Sequence, residues 1–318
     1  LKPYFFEARI VCQCCGSVVD DEMGTPVVPR KGPLEYDDVK DAATILADYA
    51  GLCLRHGGIR LSAQAQGSAT QLLDSVYKGR YGPTRHLDPS EEEKHSFKES
   101  GSSRGAETYG ELRPEGVLDM LWRVGAQPGD RFYDLGAGDG KVVALAWLMG
   151  LHATGVELAR PRWNLSRDVL EELVLSSAAG HIPAGGAKCP SGLPTRSSHG
   201  PDFVCGSLFD VDFLDADVIF VHSVMFQKSM VANIAKVARW MKPGARVISY
   251  HNFANLGSLG EFAEFQEIGE LLLPTSFSAG TCFRVQEIVQ VPPEGEKRPQ
   301  HLRHPHEFIA EQHCSCYF

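Results

Sequence analysis

Acidic and glycine residues cluster between Phe132 and Lys141, in the sequence FYDLGAGDGK. Asp134 ends an apolar run that is typical of a strand, and a helical pattern follows the last glycine. Glycines at such a strand-to-helix turn permit a tight turn and a close approach of the backbone to a ligand. The segment therefore predicts a small-molecule site at the start of a helix.

Charge separates the two classes of cofactor that use a loop of this kind. A dinucleotide site has the pattern Gly-x-Gly-x-x-Gly and holds the pyrophosphate at the helix N-terminus. Here the spacing is Gly136-x-Gly138-x-Gly140. Asp134 and Asp139 would repel a pyrophosphate, but they would attract the ammonium and sulfonium groups of S-adenosylmethionine, which carries no phosphate. The loop therefore favours the methyl donor.

Two further strand ends extend the predicted donor site. Glu157 ends the next strand-like run, TGVEL, where a carboxylate can accept both hydroxyls of a ribose. Ser207 follows the third run, where an acid would be the usual partner of the adenine. Ser207 is either a ligand contact or an ordinary strand end, and Asp210 is a possible substitute for the acid.

His222 follows the fourth run, DVIFVHSVMF. In open α/β sheets the ligand lies beyond the carboxyl ends of the strands, so His222 should lie beside the transferable methyl. Methyl transfer to nitrogen needs an aligned, neutral nucleophile. His222 could accept a hydrogen bond from that nucleophile or act as a general base, and a purely structural role is the alternative. The Asn/Asp-Pro-Pro-Tyr pattern of many amide, amine and nucleobase methylators is absent, which argues against those substrates.

The elements that must position these residues alternate between strand and helix. Candidate strands cover residues 131–135, 153–158, 202–206, 217–222 and 245–251, with helices at 141–148, 160–175 and 227–241 and a closing antiparallel pair at 268–273 and 281–288. Crossovers of this length argue for a doubly wound α/β fold with a mainly parallel, seven-stranded sheet.

Amino-acid composition and hydrophobic pattern divide the chain into three regions. Residues 1–105 form a partly helical N-terminal region, with helices predicted at 36–56 and 71–77 and a polar linker at about 88–105. Residues 106–290 form the donor-binding domain, in which 181–201 is a long surface loop, and residues 291–318 form a flexible polar tail that bears His and Cys.

Composition excludes several classes of partner. The net charge is −9 and no Lys/Arg cluster is present, which argues against strong nucleic-acid binding. No stretch approaches the roughly 18 apolar residues of a membrane helix. Nine unevenly spaced cysteines suggest a reducing compartment rather than a disulfide framework. The Cys-rich and His-rich chain ends could meet in a zinc site, but neither has a Cys-x-x-Cys pair, so no metal site is predicted.

From residue 107 to about 288 the chain resembles the disruptor-of-telomeric-silencing family, the non-SET histone H3 lysine methyltransferases. The resemblance is carried by ETYGEL, FYDLGAGDGKVV, TGVEL, DVIFVHSVMF and KPGARVIS. In that family a Tyr-Gly-Glu loop covers the donor, which implies donor-covering roles for Tyr109 and Glu111 and places Tyr109 with His222 in the catalytic region. The resemblance also implies donor contacts from the following residues: Asp134, Gly136, Gly138, Lys141 and Glu157.

Several positions depart from the family pattern. The family usually has an Asn pair where this chain has His222-Ser223, and the first Asn lies by the target amine. Lys141 replaces a common Gln, and Ser207 replaces an acid. No aromatic pair in the segment 277–283 clearly matches the lysine channel of the family, and the basic segment that grips nucleosomal DNA is missing.

The sequence thus predicts an S-adenosylmethionine-dependent protein-lysine N-methyltransferase. Its substrate would be a protein, with histone H3 in nucleosomes the candidate, and its location would be nuclear in that case and otherwise cytoplasmic. Two alternatives stay open. One is methylation of a non-histone protein or a small amine, and the other is a catalytically silent module that binds the donor.

Overall fold

A computed structural model describes residues 110–178, 200–258 and 261–314, together with Leu73, Tyr77, Glu91, Lys94 and His95. For 175–178 and 313–314 it describes the backbone alone. All of these residues belong to one compact unit, Asp38–Phe318. The predicted helix at 36–56, the Cys-rich N-terminus, Tyr109 and nearly all of the predicted loop at 181–201 lie outside the described residues.

Seven strands form one sheet in the order β3-β2-β1-β4-β5-β7-β6. Six strands are mutually parallel, and β7 runs antiparallel between β5 and β6. The strands are β1 Arg131–Leu135, β2 His152–Glu157, β3 Asp202–Cys205, β4 Val218–Val221, β5 Arg246–Ser249, β6 Phe265–Leu273 and β7 Thr281–Ile288. The predicted fold class and the closing antiparallel pair are confirmed.

Five α-helices accompany the sheet within the described ranges from residue 110 onward. They are α1 Pro114–Arg123, α2 Lys141–Leu148, α3 Arg160–Ala178, α4 Lys228–Ala238 and α5 Pro305–Cys314, with short 3-10 turns at Ser223–Met225 and Phe253–Asn255. Helix α2 is buried along its whole length after Lys141, because its sequence VVALAWL is apolar on every side. Helix α4 buries a single apolar stripe that includes Val231 and Ile234.

The two central strands have almost no contact with solvent. Four of the five residues of β1 and all four of β4 are buried, as is usual for parallel strands covered by helices on both faces. Between β1 and β4 the strand order reverses direction, which creates a switch point at the carboxyl ends of these strands. The rigid centre of the sheet therefore supports the loops that follow Leu135 and Val221.

Two regions differ from the prediction. Glu91, Lys94 and His95, within the predicted linker, are helical, and an ion pair of 2.7 Å between Glu91 and Lys94 stabilises that turn. The predicted polar tail contains α5, which contacts β3 and buries the ring of Phe308. Ile309 also packs against the core, and the side-chain amide of Gln312 donates to Cys205 O at 2.8 Å.

The described part of the chain has neither a helix long and apolar enough to cross a membrane nor a group of three or more potential metal ligands. In the same part, Cys205 and Cys282 are free thiols.

Candidate functional site

A cleft opens at the switch point, beyond the carboxyl ends of β1, β2 and β4. It encloses about 930 Å³ of space between atoms, part of it open to solvent. Most residues that the sequence singled out share its wall: Glu111, Asp134, Gly136, Gly138, Asp139, Lys141, Glu157, Ser207 and His222. One cleft thus collects side chains from five separate segments.

The glycine loop is hydrogen-bonded to the end of β2. Gly136, Gly138 and Gly140 all have positive φ, at 98°, 57° and 82°, a region that other residues rarely adopt. The amide of Gly136 donates to Val156 O at 2.9 Å. At Gly140 a Cβ would also lie 3.0 Å from Cβ of Ser166, so the close packing of α3 on this loop requires glycine.

Glu157 is fixed by the backbone around it. Its Oε2 accepts the amide of Gly138 at 2.8 Å and its Oε1 accepts the amide of Ala159 at 2.7 Å. The side chain is only 4% exposed and lines the cleft. Each carboxylate oxygen can accept more than one hydrogen bond, so Glu157 keeps acceptor capacity for a hydroxyl in the cleft.

Asp134 is a buried carboxylate that lacks a hydrogen bond to one of its oxygens among the described residues. It is 1% exposed, and its Oδ1 has no hydrogen-bond partner among the described residues. Burial, and then the negative charge of Glu157, raise the pKa of Asp134 well above its ordinary value. Native proteins rarely leave a buried polar atom without a partner. A cationic or hydrogen-bond-donating ligand in the cleft would satisfy this oxygen.

Lys141 lies at the centre of an ion-pair network beside the glycine loop. Its Nζ lies 2.9 and 2.8 Å from the two carboxylate oxygens of Glu111 and 3.1 Å from Oδ2 of Asp139. Burial lowers the pKa of Lys141, but the two carboxylates outweigh burial and the net pKa is raised. Burial also raises the pKa of Asp139, and Lys141 opposes that shift. These contacts attach the segment of Glu111 to the start of α2.

Tyr77 supports the same network from a distant part of the sequence. Its hydroxyl donates to Asp139 O at 2.7 Å, and Lys141 Nζ lies 5.1 Å from the centre of its ring. A site role for Tyr77 could not be predicted, because nothing in the local sequence pattern links it to a loop 62 residues away.

His222 is enclosed by three aromatic rings. Ring centroids lie 6.1 Å away for Phe220, 5.9 Å for Phe277 and 5.5 Å for Phe283. Nε2 of His222 has no hydrogen-bond partner among the described residues, and burial lowers the pKa of the ring to about 4. His222 is therefore neutral at neutral pH and a weak base. Of its two predicted roles, the low pKa of the ring favours hydrogen bonding over proton abstraction.

Phe277 and Phe283 were not matched to any role by sequence. Phe283 lies on β7 and Phe277 lies in the turn before it, so both reach His222 only through the register of the β6–β7 pair. Phe277 is also 56% exposed and is therefore accessible from solvent. An exposed aromatic ring thus lies beside His222.

Of the two residues predicted near the end of β3, Ser207 lines the cleft and Asp210 does not. Ser207 lines the cleft, but its Oγ accepts the amide of Phe209 at 3.2 Å and so also shapes the local turn. Asp210 is exposed and is not part of the cleft wall, since the chain turns there and Asp210 O accepts the amide of Arg303. Asp210 is therefore not a substitute for the acid. Arg162, which is 5% exposed and lines the cleft, was missed.

Comparison with protein families gives a match that overlaps this site. The family model described as "Histone methylation protein DOT1" matches residues 91–279, which is more than half of the chain. The chain belongs to the DOT1 family. Every residue of the cleft wall lies within the matched range.

Three curated relatives are named "Histone-lysine N-methyltransferase, H3 lysine-79 specific". The protein of Debaryomyces hansenii is 31% identical over 150 residues, which is 46% of this chain and 12% of the relative. The protein of Candida albicans is 27% identical over 150 residues, and that of Dictyostelium discoideum is 28% identical over 148. The matched segment therefore spans about a tenth of these DOT1 proteins.

Solved structures show only a weak likeness. A magnesium protoporphyrin IX methyltransferase from Synechocystis, solved with bound SAM, is 11% identical, with a TM-score of 0.38 over 70% of this chain and 97% of that one. An RNA methyltransferase from Salinibacter ruber, in complex with S-adenosyl-L-homocysteine, is 20% identical, with a TM-score of 0.34 over 53% of this chain and 87% of that one. Likenesses of this size carry no weight for the function.

Proposed function

We propose that this chain is an S-adenosylmethionine-dependent methyltransferase that acts on a lysine side chain of histone H3. The observation that carries the proposal is the buried Asp134 carboxylate, whose Oδ1 has no hydrogen-bond partner among the described residues, beside Glu157 in a cleft at the switch point of the sheet. Membership of the DOT1 family supports the choice of reaction. The names of the curated relatives support histone H3 as the substrate.

The residues of the cleft fit this methyl donor. Asp134 and Glu157 are both buried and their charges repel each other, so a cationic ligand would balance them. Glu157 would accept hydroxyl groups, and the positive-φ glycines would let the backbone approach the ligand closely. The buried Asp134 and Asp139 in the cleft wall disfavour a pyrophosphate, and Lys141 of the same wall is already paired with Glu111 and Asp139. When bound, the donor supplies an activated methyl group on its sulfonium.

The acceptor side fits an amine that must arrive neutral. Phe220, Phe277 and Phe283 surround His222 with apolar surface, and such surface lowers the pKa of an amine by removing water. With its own pKa of about 4, His222 does not hold a proton taken from a lysine ammonium. The acceptor therefore loses its proton to solvent. Nε2 of His222 then accepts a hydrogen bond that orients the nitrogen lone pair.

The remaining partners follow from the same proposal. A histone substrate is strongly basic, and the net charge of −9 on this chain is complementary to it. A histone methyltransferase would act in the nucleus. In the absence of a basic cluster, contacts with histone rather than with DNA would provide most of the affinity for nucleosomes.

Transfer of a labelled methyl group tests the proposal directly. Intact nucleosomes, free histones and a nucleosome-depleted lysate are incubated side by side with labelled donor and either wild type or Asp134→Ala. Label on histone H3 that is lost with Asp134→Ala supports the proposal. Label only in the lysate keeps the methyltransferase and rejects the histone substrate. Donor binding without label anywhere would favour a catalytically silent module.

A separate binding measurement tests the donor site itself. If Asp134→Ala and Glu157→Ala both bind S-adenosylhomocysteine as tightly as wild type, the site proposed here is wrong. A matched control is Asp119→Ala, because Asp119 is also an aspartate but pairs with Arg123 on the outer surface of α1.

A further inference from the structure

Two segments at the rim of the cleft are bound to each other by four hydrogen bonds. The amide of Arg113 donates to Pro274 O at 3.0 Å, and its Nε donates to Thr275 O at 3.1 Å. The amide of Ser276 donates to Glu111 O at 2.8 Å, and Ser276 Oγ accepts the amide of Glu111 at 3.2 Å. Residues 111–113 and 274–276 therefore behave as one mechanical unit.

The two segments of this unit contact different halves of the site. Glu111 binds Lys141 beside the glycine loop, on the donor side. Phe277, which directly follows Ser276, packs edge-on against His222 on the acceptor side. A Cβ at Gly110 would lie 2.8 Å from the Phe277 ring, so the missing side chain permits this close approach. A displacement of the segment that carries Glu111 should therefore also displace the turn that carries Phe277.

We propose that Ser276 is a positioning residue that couples donor binding to the ordering of the acceptor side. The inference rests on the function proposed above. The Ser276 side chain is exposed and is absent from the cleft wall. Its hydroxyl acts through Glu111, whose amide it holds, and through Phe277, its neighbour in sequence.

The physical basis of the coupling is shared ordering. Bound donor restrains the segment that carries Glu111, and through the four hydrogen bonds it restrains the turn that carries Phe277. The acceptor then meets a turn that is already ordered, so less conformational entropy is lost when it binds. Because coupling between two binding sites is reciprocal, bound acceptor must also tighten the donor by the same factor.

Three variants separate this role from a general effect on the fold. Ser276→Ala removes the hydroxyl, and Ser276→Thr keeps it. Ser278→Ala is the matched control, because the Ser278 hydroxyl donates to Gly280 O within the same turn and does not contact residues 111–113. Both positions lie at or near the surface, so each variant should fold. Thermal melting of each variant verifies this.

Hydrogen exchange of the segment 274–278 is measured with and without S-adenosylhomocysteine. In wild type, Ser276→Thr and Ser278→Ala, the ligand should slow exchange in this segment. In Ser276→Ala that extra protection should fall by about three- to ten-fold, the range expected for one hydrogen bond. Undiminished extra protection in Ser276→Ala would overturn the coupling alone. Failure of wild type to bind S-adenosylhomocysteine would instead overturn the proposed function, and the coupling with it.

Discussion

The substitution Asp134→Asn should stabilise the ligand-free protein and weaken donor binding at the same time. The carboxylate is 1% exposed, its Oδ1 has no partner among the described residues, and Glu157 is its charged neighbour. Such a site favours the bound donor at the expense of the free fold. Asparagine removes the charge and keeps the shape of the side chain.

The pH dependence has a definite sign. The pKa of Asp134 is raised on folding, so the folded state holds this proton more tightly than the unfolded state does. The free energy of unfolding therefore falls as the pH rises from the ordinary aspartate range through the raised pKa. Asp134→Asn lacks this loss, so its advantage over wild type should grow with pH until Asp134 is fully ionised.

The magnitudes follow from the environment of the carboxylate. A buried acceptor without a partner costs about 1–3 kcal/mol, and the lower end applies because the asparagine amide also needs partners. An increase of about 1 kcal/mol corresponds to a rise in Tm of about 2–4 °C for a domain of this size. Loss of a charge-assisted hydrogen bond, about 1.5–3 kcal/mol, should weaken the donor by about 10- to 150-fold.

Thermal melts at several pH values between about 5 and 8, with and without S-adenosylhomocysteine, measure both effects. Asp119→Asn serves as the control, because it makes the same chemical change in an exposed ion pair with Arg123. A ligand-free Asp134→Asn protein that is less stable than wild type at every pH would refute the reasoning. Unchanged ligand affinity in that variant would do so equally.

Three further substitutions probe the other parts of the cleft. Glu157→Gln puts an amide group where two backbone amides donate, and calorimetry should show donor affinity reduced by about ten-fold or more; an unchanged affinity would contradict the role of the carboxylate. Lys141→Met leaves Glu111 and Asp139 without their cation. Denaturant unfolding should show that the free energy of unfolding falls by about 2–3 kcal/mol, which is less than for a fully buried ion pair because Lys141 retains some exposure. His222→Phe keeps the aromatic packing but removes Nε2, so the rate of methyl transfer should fall while donor affinity stays within about two-fold of wild type. An equal loss of transfer rate and donor affinity would place His222 in the donor site instead.

The central part of the fold could be predicted because local signals there agree with the tertiary structure. Strand β1 and helix α2 have the predicted bounds, since an apolar run, a positive-φ glycine at Gly140 and a second one at Gly150 delimit them. That Asp134 and Glu157 share one cleft was predictable for the same reason. In a parallel sheet, the carboxyl end of each strand reaches the same edge, so Asp134 and Glu157 had to lie together.

Contacts between distant segments could not be predicted from a single sequence. The ion pair of Glu111 with Lys141 joins residues 30 positions apart, and the contact of Phe277 with His222 depends on how β6 and β7 pair. Strand register is set by packing in three dimensions and leaves little local trace. The docking of α5 was missed because its composition is mainly polar, with few apolar residues, such as Phe308 and Ile309, on the side that packs against the core.

The measurement that tests the central claim most directly is mass spectrometry of recombinant nucleosomes after incubation with S-adenosylmethionine and this protein. Wild type should add methyl groups to a lysine of histone H3, and Asp134→Asn, although folded and more stable, should add few or none at the same donor concentration. Equal methylation by the two proteins would contradict the assignment of the cleft. Absence of H3 methylation by wild type that has bound donor would contradict the histone substrate.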